Sequence, residues 1–346
     1  METLLVLAAT EADGSLARPA LEALGAARTL AASLPGSTLV VGLFGAETDG
    51  AVGRIGRAGA GRILAARHPD LAVSRYATDS LAAEALARAA GATLVLAPGT
   101  SRMNRCLPGV AARLKGRADT HVTGLGVIDG AVTANRWYYR QRMEGVLTRS
   151  HRPWFLLVDP GSQTAAEGIE GPASAETVSV EIPESARRTT VVGVREPAVD
   201  AQTIRPDAAL LLVAGAGWTK KQADGQTHVP EAEQLILGFL RATRASLGSS
   251  KSLVDLGGEG QAVLSFLSHL NQIGQTGSTP RHRKGLSTCC HGEEPHTVGW
   301  RFVAERRAIS LDPNCGWARG KADVLYVADA FRVMALVNNL LGSQGG

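Results

Sequence analysis

Between Gln272 and His296 the chain reads QIGQTGSTPRHRKGLSTCCHGEEPH. A Gly-Gln-Thr-Gly turn, His282, His291 and His296, the adjacent Cys289 and Cys290, and Glu293 and Glu294 fall within this one stretch. Three chemistries could use such residues. Thiolate, imidazole and carboxylate groups are zinc ligands. A cysteine beside a histidine can be an activated nucleophile. Glycines with a hydroxyl, an amide and an imidazole can line a cofactor pocket and set the cofactor's electronics. The spacing of CCHGEEPH is neither H-E-x-x-H nor a C-x2-C pair, and one local loop cannot bring most of these side chains onto a single tetrahedral ion. Neither Cys289 nor Cys290 has an evident oriented base.

The surrounding elements are those of a layered α/β protein. In the first half, apolar runs alternate with helical patterns. LLVLAA (Leu4–Ala9) precedes a helix over Pro19–Ala32 that opens with proline, and STLVVGLFG follows as a second strand. A helix over Asp79–Gly91 with Asp79 as its cap leads to an apolar strand in Ala92–Thr100, then a helix in NRCLPGVAARLKG. Continuous apolar strands alternating with helices imply a parallel sheet covered on both faces. After Gly116 the pattern turns to β: Asp129-Gly130 separates two strand-like runs, a hairpin signal, and GVLTRS, PWFLLVDP and TVSVEIP continue it. The stretches 161–176 and 183–207 read as loop and linker. A second α/β unit follows: a strand in Ala208–Gly217, a helix in EAEQLILGFLRATRASLG ending at Gly248, a strand in KSLVDLGG, and a helix in GQAVLSFLSHL. Two further strands, RRAISLDP and ADVLYVAD, precede a closing helix in AFRVMALVNNLL.

Composition agrees with that class. The chain has 346 residues, 45% apolar and 20% charged, long enough for two domains with sizeable cores. Aromatics are 4% while glycine numbers 40, favouring close helix–sheet contacts over an aromatic-rich sandwich. The net charge of +4 is scattered, and its densest cluster, Arg281 to Lys284, is too short for a nucleic-acid footprint. Cys106, Cys289, Cys290 and Cys315 lack C-x-x-C spacing, which points to a reducing compartment. The start METLLVLAATEADG lacks a basic n-region and cleavage site, and no apolar run reaches the roughly 20 residues that span a bilayer. A cytoplasmic protein with no membrane insertion is expected.

The second unit resembles the α subunit of electron transfer flavoproteins at several places in order. VAGAG (Val213–Gly217) occupies the family's Gly-Gly-Arg-Gly turn, SKSLVD (Ser250–Asp255) its Ser-Arg-x-x-Val-Asp segment, and IGQTG (Ile273–Gly277) its Val-Gly-Gln-Thr-Gly turn. HGEEPH (His291–His296) falls on Ser-Gly-Ala-Ile-Gln-His, and ADVLYVADAFRV is similar to the family's ending. PALEALGAAR and LAPGTSRMNRCLPGVAARL extend a looser likeness into the first half.

The resemblance implies an α/β fold of two lobes, each a mainly parallel sheet flanked by helices, the C-terminal one flavodoxin- or Rossmann-like. It implies an N-terminal domain over 1–195 that pairs with a β subunit, and an FAD-binding domain over 205–346. The implied FAD contacts are Gly215, Gly217, Ser250, Lys251, Gln275, Thr276, Gly277, His291, Gly292, His296, Ser310 and Asp329. Within that set, Thr276 would bond near the reactive flavin nitrogen. Lys251 stands where the family has arginine beside the ring, keeping the charge but losing the planar fork. His296 would face the ring edge where negative charge develops. Ser310 and Asp329 fall on adenosine-side positions; Asp329 could equally cap the closing helix. The implied activity is electron carriage from a flavin-dependent dehydrogenase to a quinone-linked acceptor, by a heterodimer whose β subunit holds AMP. The chain itself would convert no substrate. The departures are Ala216 for arginine, His291 and Pro295 for serine and glutamine, and the acidic Glu293 and Glu294. They keep open a structural or regulatory subunit without FAD, and a metal-binding enzyme using Cys289–His296.

Overall fold

The structure is a computed structural model that describes residues 1–139, 143–193, 204–205, 208–255, 262–273, 282–288, 303–315 and 322–343. The chain divides into two compact units, Met1–Val194 and Arg195–Gly346. Each is built on a mostly parallel sheet flanked by helices.

The N-terminal sheet centres on five strands that are almost wholly apolar: β1 (Thr3–Ala9), β2 (Thr38–Gly45), β3 (Arg62–Arg67), β4 (Leu94–Pro98) and β8 (Trp154–Val158). Strands this apolar need cover on both faces, and they have it. Helix α1 (Arg18–Ala32) packs Leu21, Leu24 and Leu30 on one side, with the short α2 (Asp49–Arg54) adding Val52. Helices α3 (Tyr76–Ala90) and α4 (Ser101–Arg113) pack Leu86, Leu107 and Val110 on the other. Trp154, Phe155, Leu156 and Leu157 are fully buried in sequence, split between the two faces. Burial of each such side chain stabilises by about 1.5–3 kcal/mol.

Beyond β8 lie three more strands: β5 (Arg117–Ile128), β6 (Ala131–Tyr138) and β7 (Met143–Thr148). The sheet order is β7-β6-β5-β8-β4-β1-β2-β3, with the two-residue β9 (Glu176–Thr177) on the far edge. The Asp129-Gly130 signal is realised: β5 and β6 run antiparallel around it, with φ of 51° and 76°, both positive as a type I′ turn requires. Two expectations need correction. TVSVEIP forms a strand only at its start, Thr177, with Glu176 before it. Helix α3 begins at Tyr76, and Asp79 does not cap it: the carboxylate is wholly buried and takes both Nε and Nη2 of Arg102, at 3.0 and 2.7 Å. Gly91 does end that helix, in the left-handed region at φ 59°.

The C-terminal sheet is all parallel, in the order β11 (Ser246–Ser249), β10 (Leu210–Ala214), β12 (Lys284–Thr288), β13 (Glu305–Ser310), β14 (Val324–Val327). This is the strand order of a flavodoxin-like doubly wound sheet. Helices α5 (Val229–Thr243) and α7 (Ala330–Ser343) cover one face through Ile236, Phe239, Leu240, Phe331 and Met334.

Local readings fail here more often. The α5 pattern stops at Thr243 because Arg244 takes a left-handed conformation, φ 52°, and the next residues become strand β11 rather than continued helix. The described part of KSLVDLGG is not a strand: Lys251–Asp255 is a short helix, α6, whose first turn Ser250 caps. The helix expected over GQAVLSFLSHL is absent among its described residues, 262–270. They hold turns and a tight 3-10 turn at His269–Asn271, closed by a Ser268–Asn271 capping box. The central strand β12 lies inside the Gln272–His296 stretch, where no strand was expected.

Candidate functional site

In an open parallel sheet, ligands bind outside the carboxyl ends of the strands, where the strand order reverses. In the C-terminal sheet that point is between β10 and β12. Six of the residues singled out in the sequence are described, and all six lie at that end of the sheet. Gly215 and Gly217 follow β10, Ser250 and Lys251 follow β11, Ser310 is the last residue of β13, and Asp329 stands two residues past β14. The in-register pairs Ala214–Ser249, Ala214–Thr288 and Ser310–Val327 bring these ends level. Gln275, Thr276, Gly277, His291, Gly292 and His296 lie outside the described residues, as do Cys289, Cys290, Glu293 and Glu294. The two residues before the Gly-Gln-Thr-Gly segment are described: Gln272 forms an isolated bridge with Ser249, and Ile273 N donates to Ser249 O at 3.1 Å.

The turn after β10 is held from below. Gly215 N donates to Thr288 O at 2.9 Å, so this amide is spent on the sheet. Trp218, fully buried, donates Nε1 to Thr288 Oγ1 at 2.8 Å and stacks on Phe331 with ring centres 4.6 Å apart. The glycine turn therefore rests on an aromatic pair and a strand-end hydroxyl. Sequence reasoning missed Trp218 and Thr288, and also Ser249, one position before the resemblance's serine. Thr288 was beyond reach because the strand that it ends was unseen.

Each described candidate also has a local role. Ser250 Oγ accepts from Leu253 N at 3.2 Å, which leaves its own O–H to donate. Ser310 Oγ accepts from Asp312 N at 3.2 Å. Asp329 Oδ1 accepts from Phe331 N at 2.9 Å and caps α7, the structural alternative open from sequence. Lys251 Nζ is 3.2 Å from Asp255 Oδ2, and His269 Nε2 is 3.0 Å from Asp255 Oδ1. The His269 bond first and the Lys251 bond second hold the Asp255 carboxyl below its usual range. The Lys251 cation is thus answered by a carboxylate within α6.

The residues present fit a dinucleotide at its diphosphate and adenosine ends: a glycine turn, donor hydroxyls, and no buried carboxylate among the described residues of this unit. They fit the flavin end less well, since Ala216 supplies no cation and Lys251 is paired. A cavity of about 380 Å³ opens towards the other end of the same sheet, against Leu210, Lys284, Glu305, Arg307, Val333 and Val337, and contains none of these residues.

The residues of the metal and nucleophile alternatives, Cys289 to His296, lie outside the described residues. No group of three or more metal-ligating side chains occurs among the described ones. His282 is structural: buried, its Nε2 lies 2.6 Å from Ser246 Oγ and 3.0 Å from Arg205 O. Cys106 and Cys315 are buried, and burial, then the Asp79 charge, pushes the Cys106 thiol up to about 12. No described helix is long and apolar enough to cross a membrane.

A search of curated proteins returns no match to the chain. A family model, that of the electron transfer flavoprotein domain, matches residues 4–185. That span is more than half of the 346 residues and takes in all nine strands of the N-terminal sheet, and on it the chain belongs to the electron transfer flavoprotein family.

Proposed function

We propose that this protein is the α subunit of an electron transfer flavoprotein and carries FAD at the strand ends of its C-terminal unit. One observation supports this reading above others. Residues matched separately along the sequence to that subunit's FAD positions meet at the carboxyl ends of four strands of one parallel sheet. Bound FAD would supply the electron storage that no side chain offers. The Gly215–Gly217 turn lets the diphosphate approach the backbone, Ser250 donates its hydroxyl, and Ser310 and Asp329 orient the adenosine. Lys251 opposes the negative charge of a reduced ring, weakened by Asp255. Gln275, Thr276, Gly277, His291, Gly292 and His296 complete the contacts by resemblance.

In this reading the N-terminal unit pairs with a β subunit holding AMP, in the cytoplasm. Electrons arrive from a flavin-dependent dehydrogenase and leave to a quinone-linked acceptor, and the chain converts no substrate of its own. The Lys251–Asp255 pair and Ala216 favour one second reading, a subunit of this family that has given up FAD.

Purification of the chain with its β subunit tests the choice. The complex is expected to be yellow and to release one FAD per chain on denaturation. A colourless complex that takes up no FAD on reconstitution would select the second reading.

A further inference from the structure

At the candidate site one side chain is out of balance. Ser249, the last residue of β11, is fully buried, and its Oγ has no hydrogen-bond partner. Its backbone is satisfied: it pairs with Ala214 in β10, and its carbonyl accepts from Ile273 N at 3.1 Å. The hydroxyls around it are engaged. Thr288 Oγ1 takes Trp218 Nε1, Ser250 Oγ takes Leu253 N, and Ser246 Oγ meets His282. Thr78 and Ser80 also have unpartnered hydroxyls, but they sit in helix α3, where a Ser or Thr hydroxyl can turn to the carbonyl one turn back. A strand end whose carbonyl is already bonded offers no such retreat.

A buried hydroxyl without a partner costs the fold what alanine would not. Groups that break a local rule in this way concentrate where function needs them. Ser249 stands beside Ala214, the residue that enters the Gly215 turn, and its side chain shares a sheet face with Ala214 and Thr288. On its other side the chain runs on to Ser250. An unanswered O–H donor here matches a ligand group rich in acceptors and without hydrogens of its own.

We propose that Ser249 is a ligand-binding residue that donates its hydroxyl to the diphosphate of a dinucleotide seated between the Gly215 turn and Ser250. This rests on the FAD reading above and adds to it a contact that the resemblance does not supply.

The test uses the full-length protein stripped of flavin, titrated with FAD and with ADP, and melted without ligand. Ser249→Ala is expected to raise both dissociation constants about tenfold, the weight of one hydrogen bond to a charged group. The same change is expected to leave the melting temperature of the flavin-free protein unchanged or to raise it. Loss of affinity with no loss of stability is a combination that a packing role would not produce. Ser249→Cys, which keeps the volume but donates poorly, is expected to weaken binding likewise. If the unaltered protein binds FAD and ADP and Ser249→Ala binds them as tightly, the inference is overturned while the FAD reading stands. It is overturned equally if Ser249→Ala lowers the flavin-free melting temperature. If the unaltered protein binds neither ligand, the FAD reading falls and this one with it.

Discussion

The two units bury different polar chemistry. Among its described residues the N-terminal unit buries three carboxylates, Glu22, Asp79 and Asp119. Asp119 is met by Arg149 Nε at 2.6 Å, Arg136 Nη1 at 3.2 Å and Trp154 Nε1 at 2.8 Å; Asp79 by the fork of Arg102; Glu22 by Gly161 N at 2.6 Å. Among described residues the C-terminal unit buries no carboxylate, only hydroxyls, amides and one imidazole: Thr219, Ser246, Ser249, Asn271, Gln272, His282, Ser287, Thr288 and Ser310. Closed charge networks tie elements to one another, strands around Asp119 and helices α3 and α4 through Asp79 and Arg102. Neutral hydroxyls at strand ends can still donate, and they do not repel an anion. On the FAD reading proposed above, the contrast would separate a unit that holds its shape from one that holds a ligand.

The strongest way to break that contrast is to open a closed network. Asp119→Ala strands two guanidinium groups and an indole N–H, and is expected to cost about 3–5 kcal/mol in urea denaturation of the N-terminal unit. A cost below about 1 kcal/mol would mean that the network is not closed. Replacing Thr288 by valine asks the same of the C-terminal unit, where only neutral bonds are lost, the one from Trp218 Nε1 and the one that Thr288 Oγ1 donates to Val213 O at 3.3 Å. Trp218 Nε1 is then left buried without an acceptor, and about 1–3 kcal/mol is expected.

Acid sharpens the comparison. Burial pushes the Asp119 carboxyl up, but the bonds from Arg149 and Trp154 and the charges of Arg149 and Arg136 outweigh it and hold the group below its usual value. A carboxyl depressed in the folded state contributes stability that is full above its unfolded value, about pH 4, and is lost as pH falls through the folded one. The depressed carboxyls of the C-terminal unit, Asp224, Asp255 and Asp323, are solvent-exposed and contribute little. Below about pH 4 the calorimetric transition of the N-terminal unit is therefore expected to fall faster than that of the C-terminal unit. The smallest effect is expected from Asp255→Asn. It should leave the melting temperature unmoved and tighten FAD binding only about two- to threefold, by freeing Lys251.

Legibility differed between the units for the same physical reason. Strands buried on both faces read as unbroken apolar runs, so β1, β2, β4 and β8 were plain, and Asp129-Gly130 announced its hairpin. Strand β12, KGLST, carries one large apolar residue, Leu286, and owes its place to neighbours on both sides rather than to its own pattern. At Lys251–Asp255, apolar Leu253 and Val254 suggested a strand, whereas the Ser250 cap started a helix. Position in the resemblance found Ser250, Lys251, Ser310 and Asp329. It could not single out Trp218 and Thr288, which bond to each other across 70 residues of sequence, or Ser249, whose burial is set by the fold.

By itself the sequence determined the alternation of apolar strands and amphipathic helices, hence two mainly parallel sheets, because the period of side-chain burial is written residue by residue. Only the tertiary structure decided which strand ends stand level, which carboxylates are closed by arginines, and that the strand-end hydroxyl of Ser249 is left without a partner. Those outcomes depend on registers and distances between residues far apart in the chain, and no local pattern encodes them.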